Sequence, residues 1–88
     1  YRNDPVIHAF LEAELAFYQH RYQESLKQYL KARHIPLFQF FCYRASAHLS
    51  LDSRLYDKAI KFIKRALQLK SNDYASLKLM GKLYTAKG

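Results

Sequence analysis

An all-α fold is predicted from three features of the chain. Its 88 residues include only 2 Gly and 2 Pro, too few to build the tight turns of an all-β sandwich. Apolar residues recur at helical spacing along nearly the whole length, in segments joined by short connections. Half of the residues are apolar or aromatic, among them 8 Tyr and 6 Phe. That is enough to pack one small core, which excludes a disordered chain, and the length excludes a two-domain enzyme.

The first helix is expected from Asp4, which can cap it, through Pro5 in the first turn to about Gln19. Ile7, Phe10, Leu11, Leu15 and Tyr18 give its apolar spacing. A second starts near Tyr22, carries Leu26, Tyr29, Leu30 and Ala32, and must end before Pro36, which disfavours helical geometry at Ile35. Leu37 to Leu51 forms a third, with Asp52 and Ser53 as punctuation, and Tyr56 to Leu69 a fourth. Ser71, Asn72 and Asp73 are cap candidates for a fifth that lasts to the end. Short links make consecutive helices antiparallel neighbours, so the chain reads as a stack of helical hairpins.

A shift of 34 residues brings the two hairpins into register without a gap. Tyr22 then meets Tyr56, Ser25 meets Ala59, Leu26 meets Ile60, Ala32 meets Ala66 and Ile35 meets Leu69. In the first helices Ala13 meets Ala47 and Gly81, and Leu15 meets Leu49 and Leu83, so the fifth helix opens a third copy. Small residues at one site let partner helices approach closely, and the leucine column is expected to be the buried knob beside it.

This pattern resembles the tetratricopeptide repeat, a helix-turn-helix unit of the same period. Tyr56-Asp57-Lys58-Ala59 with Ile63 and Ala66-Leu67 carry the resemblance best, Tyr22 to Ala32 repeats it, and Met80-Gly81 with Tyr84 begins it again. The first copy has Ala9 where the others have Tyr43 and Leu77, and Pro36 lies one residue early. The resemblance implies a single domain over residues 1–88, an α-solenoid of about two and a half repeats at roughly 6–39, 40–73 and 74–88. Since the chain opens on Tyr1, it is expected to be a piece of a longer protein.

No catalytic constellation stands out. Gly81 and Gly88 cannot make a phosphate-binding loop. Of His8, His20, His34 and His48, only His8 shares a helix face with a carboxylate, Glu12, and two ligands make a weak metal site. Cys42 and His48 point to different faces of one helix, and Ser25, Ser46 and Ser50 occupy small packing sites. Neither enzyme activity nor a cofactor or metal is expected. One cysteine excludes a disulfide-stapled fold and fits an intracellular, cytoplasmic setting. No apolar run is long enough for a membrane span.

The net charge of +8 admits anionic partners without naming one. Lys58, Lys61, Lys64, Arg65 and Lys70 follow one side of the fourth helix, read first as a solvated face and alternatively as a contact for nucleic acid or an anionic surface. Nucleic acid is disfavoured because the aromatics fall mostly at packing positions.

In repeats of this kind, the first helices line a concave groove that takes peptides. The resemblance therefore implies a partner-binding surface with Phe10, Arg44 and Lys78 in one row and Glu14, His48 and Lys82 in the next. Ile7 with Phe41, and Phe17 with Leu51, extend it. Such a surface suits a protein or peptide with an apolar anchor beside acidic groups or a terminal carboxylate. Arg44, Lys78 and Lys82 also resemble the basic clamp with which some family members hold acidic chaperone tails, although Phe10 and Glu14 interrupt it. The alternative is a structural segment of a longer array with no ligand of its own. Leu77, Met80 and Tyr84 are expected to be left uncovered and to permit weak self-association.

Overall fold

The computed structural model describes residues 5–87, so the expected Asp4 cap lies outside the described residues. The described chain is all-helical: α1 Pro5–Tyr18, α2 Tyr22–Leu30, α3 Pro36–Asp52, α4 Tyr56–Leu69 and α5 Tyr74–Lys87. No helix among these residues is long and apolar enough to cross a membrane.

The main differences from expectation lie around Pro36, and α3 also runs one residue past Leu51, through Asp52. Helix α2 stops at Leu30, before Ala32, because the amides of Lys31, Ala32 and Arg33 reach back only three residues, to Gln28, Tyr29 and Leu30. This tightened turn still buries Ala32. Ile35 is extended, and Pro36 opens α3 one residue earlier than expected, where its missing N–H costs nothing. Asp73 caps α5, its Oδ2 accepting bonds from the Ser76 amide at 2.9 Å and the Ser76 hydroxyl at 2.7 Å.

The 34-residue register recurs in the backbone. Helices α1 and α3 both end in a left-handed residue, His20 at φ 63° and Arg54 at φ 61°. At each end the next amide closes a wide turn, Arg21 onto the Ala16 carbonyl at 2.8 Å and Leu55 onto the Ser50 carbonyl at 2.9 Å. It recurs in burial too. Ala13 with Ala47, Ser25 with Ala59, Tyr29 with Ile63, and Ala32 with Ala66 are all buried pairs of that spacing.

Each helix packs on the next in order, and α5 also touches α3. The molecule is elongated, 46 × 23 × 18 Å. One core joins α1, α2 and α3 through Ala13, Phe17, Tyr22, Tyr29, Phe38 and Ala45. A second joins α3, α4 and α5 through Phe40, Ala47, Ala59, Ile63, Leu79 and Leu83. Helix α3 is the shared wall, and Phe41 touches both cores.

Two of the expected columns break at their ends. Leu83 is fully buried and Leu49 half-buried, but Leu15 is exposed, together with Leu11 and Tyr18, on a side of α1 with no helix against it among the described residues. Gly81, expected at a close helix approach, is exposed and has nothing near its missing Cβ. Helix α5 makes its contacts through the other side, where Ser76, Leu79 and Leu83 are buried. Gly81→Ala should therefore stabilise the fold by about 0.5 to 1 kcal/mol, since it removes backbone entropy from the unfolded chain and meets no neighbour. A lowered denaturation midpoint would show that another helix covers this site.

Candidate functional site

Helices α1, α3 and α5 together wall a recess of about 380 Å³. Phe17 comes from the last turn of α1, His48 from α3, and Lys78 and Lys82 from successive turns of α5. Its floor is aromatic. The Tyr22 ring stacks on His48 at 4.8 Å and meets Phe17 edge-on at 5.3 Å, while Phe17 meets His48 edge-on at 5.0 Å. The Tyr22 hydroxyl is hydrogen-bonded to His20 Nδ1 at 2.7 Å. Burial, and then the carboxylate of Asp52, raise the pKa of Tyr22.

His48 does not supply the cation expected of it. Burial first, then the charges of Arg44, Lys82 and His20, lower its pKa from 6.5 to about 4, so it is neutral near pH 7. Its Nε2 is buried without a hydrogen-bond partner. Between pH 6.5 and about 4 the unfolded chain binds the proton that the folded one refuses, so stability falls as pH drops through that window. The loss at pH 5 relative to pH 7 should be about 1 to 2 kcal/mol after allowance for partial exposure. His48→Phe keeps an aromatic ring for Tyr22 and should flatten this part of the profile. A variant that loses stability at pH 5 as steeply as the parent would assign the effect to another group.

Arg44 is the largest departure from expectation. It is only 7% exposed and is no free cation in a groove. Its guanidinium lies between aromatic rings, 4.6 Å from the centre of Phe17, 5.3 Å from Phe40 and 5.5 Å from Phe41. Nη1 donates to Asp73 at 3.4 Å, and Nη2 stands 4.0 Å from Glu14, so α1, α3 and the start of α5 are tied through one side chain. The second row of the expected groove is altered as well, because Glu14 accepts a hydrogen bond from the buried Tyr29 hydroxyl. Burial, and then that bond to Glu14, push the Tyr29 phenol well above its usual pKa. Phe40 and Phe41, four and three residues before Arg44, are the local sequence signal for a stacked arginine. Asp73, 29 residues further on, is visible only in the fold.

Leu51 joins Phe17 in the recess as well, and the other groove positions fall elsewhere. Phe10 packs its ring on Phe38 at 5.7 Å and on Phe41 at 5.5 Å, in the aromatic core of α1 and α3. Ile7 is exposed beside it, at a small apolar hollow of about 250 Å³ shared with Leu37 and Phe38. The buried Arg44 stands between Phe17 and Phe41, so the apolar and the basic ends are separate sites and not one continuous surface. On α5, Leu77 and Tyr84 are about half exposed as expected, whereas Met80 packs against the second core. Residue 80 adjoins the buried Leu79 and so lies at the edge of the packed face.

Cys42 is half-buried on another side of α3 from His48, and the two open onto different recesses. His8 and Glu12 are exposed on α1, and no group of three metal-binding side chains occurs among the described residues. No known protein family, curated protein or solved structure matches the chain.

Proposed function

We propose that the chain is a short α-solenoid of tetratricopeptide-like hairpins that acts as a non-enzymatic protein-interaction module. Its partner segment, apolar and acidic in character, seats in the recess of α1, α3 and α5. The observation that carries this reading is the convergence of Phe17, His48, Lys78 and Lys82 on one recess from three helices that are not consecutive. The equivalent left-handed turns at His20 and Arg54 support the repeat part of it.

With Arg44 neutralised and His48 uncharged, selection for negative charge falls to Lys78 and Lys82, both exposed. They stand four residues apart on one face of α5, a spacing that can bracket a terminal carboxylate. The stacked Tyr22, His48 and Phe17 offer the apolar floor for an anchor residue. Uncovered Leu77 and Tyr84 support weak self-association through α5 as a secondary property.

Titration with short acidic peptides that end in a bulky apolar residue tests the reading. Peptides with a free terminal carboxylate should bind, and amidation of that terminus should weaken binding about tenfold. Lys78→Glu with Lys82→Glu should abolish it while the helical signal stays unchanged. Undiminished binding by that double variant, or binding that ignores amidation, would place the partner elsewhere.

A further inference from the structure

A second groove lies on a different side of α3 from the recess. Leu26 and Leu30 of α2, Cys42 and Tyr43 of α3, and Phe62 of α4 line about 380 Å³ of open, mainly apolar space. Phe62, on the 14-residue α4, stays half-buried there, packed against the second core. The first copy carries neither ring. In the 34-residue register Phe62 stands opposite Gln28 and Tyr43 opposite Ala9, yet the two rings approach to 6.4 Å across the groove.

Two cations stand at the groove, and Gln39 and Ser46 add uncharged polar groups to its lining. Arg33 is its one charged lining residue, exposed, with its guanidinium held by the Leu30 carbonyl at 3.1 Å. Arg65 lies at the α4 side, 5.7 Å above the Tyr43 ring. Neither has a carboxylate within ion-pair distance among the described residues. The space lies at the small end of the range for ligand sites, roughly 300 to 1,000 Å³.

We propose that this groove binds a medium-chain fatty carboxylate, with its alkyl chain against Leu26, Leu30, Tyr43 and Phe62 and its head on Arg33 or Arg65. The alkyl chain displaces water from apolar walls, and the guanidinium forks meet the carboxylate at the rim.

Cys42, the only thiol in the chain, lies in the groove wall and reports occupancy. Its alkylation by iodoacetamide is followed at fixed pH with decanoate below the micelle-forming concentration. Decanoate should slow the reaction at least about fivefold and saturably, while decanol of the same chain length should need about tenfold more to match it. Arg33→Gln with Arg65→Gln should raise the half-protecting decanoate concentration about tenfold and leave decanol unaffected, with circular dichroism confirming the fold. Absence of protection by decanoate, or equal protection by decanol, would overturn the proposal. So would protection by an acidic leucine-containing peptide with none by decanoate, which would assign the groove to a protein partner.

Discussion

Arg44→Ala is expected to cost about 3 kcal/mol or more and to lower the melting temperature by roughly 15 °C. The reason is asymmetry. Removal of one buried partner leaves Asp73 and Glu14 without their shared cation, and both carboxylates are largely shielded from water. It also empties the space between Phe17, Phe40 and Phe41. Arg44→Lys should recover less than half of the loss, because a compact ammonium cannot stack on three rings as a planar guanidinium does. The same variant carries a pH signature. Burial would raise the Asp73 pKa, but bonds from Ser76 and the charge of Arg44 outweigh it and hold it below 3.8. A depressed carboxylate contributes stability that is present above its unfolded pKa and is lost as pH falls through the folded one. Without Arg44 that loss should begin at higher pH. A melting temperature within 2 or 3 °C of the parent, about the effect of half a kcal/mol, would mean that water reaches all three charges.

Ala47→Leu should be the next most damaging change, at up to about 3 kcal/mol. Ala47 is fully buried in the core that contains Ala59, Ile63 and Ala66, all also fully buried, and a Leu there must push α3 away from α4. Its counterpart 34 residues earlier, Ala13, shows how close this approach is, since its carbonyl takes a hydrogen bond from the buried Ser25 hydroxyl at 3.0 Å. The 34-residue spacing supplies an internal control. Gly81 stands 34 residues later but is open, so Gly81→Leu should leave stability within about 0.5 kcal/mol of the parent or raise it. Equal costs at residues 47 and 81 would refute the view that only the first has a helix against it.

Side-chain exposure, not fold class, is where reading and structure part. Arg44, His48 and Lys82 all stood in the expected groove as cations, and only Lys82 remains an exposed one. Helical spacing places a residue on a face, but the charge it presents depends on what packs over that face. For Arg44 these are three rings and a carboxylate from the cap of α5, and for His48 the ring of Tyr22. The second groove has no mark in the sequence, because Leu26, Tyr43 and Phe62 come from three helices that meet only in the fold. Lys31 to Arg33 differ little from good helix formers, and it is the approach to Pro36 that tightens the turn.

The sequence by itself determined the all-helical class and the five elements, apart from the early end of α2, through local spacing and turn chemistry. Only the tertiary structure decided which repeated positions were covered. Ala47 and Gly81 share one site in the pattern, yet one is sealed by α4 and the other opens to solvent, because burial depends on a neighbouring helix and not on the residue's own place in the chain. The same holds for charge. A lysine, arginine or histidine acquires its pKa and its partners from side chains dozens of residues away, and Arg44 became a tie between three helices through an aspartate that no local rule connects to it.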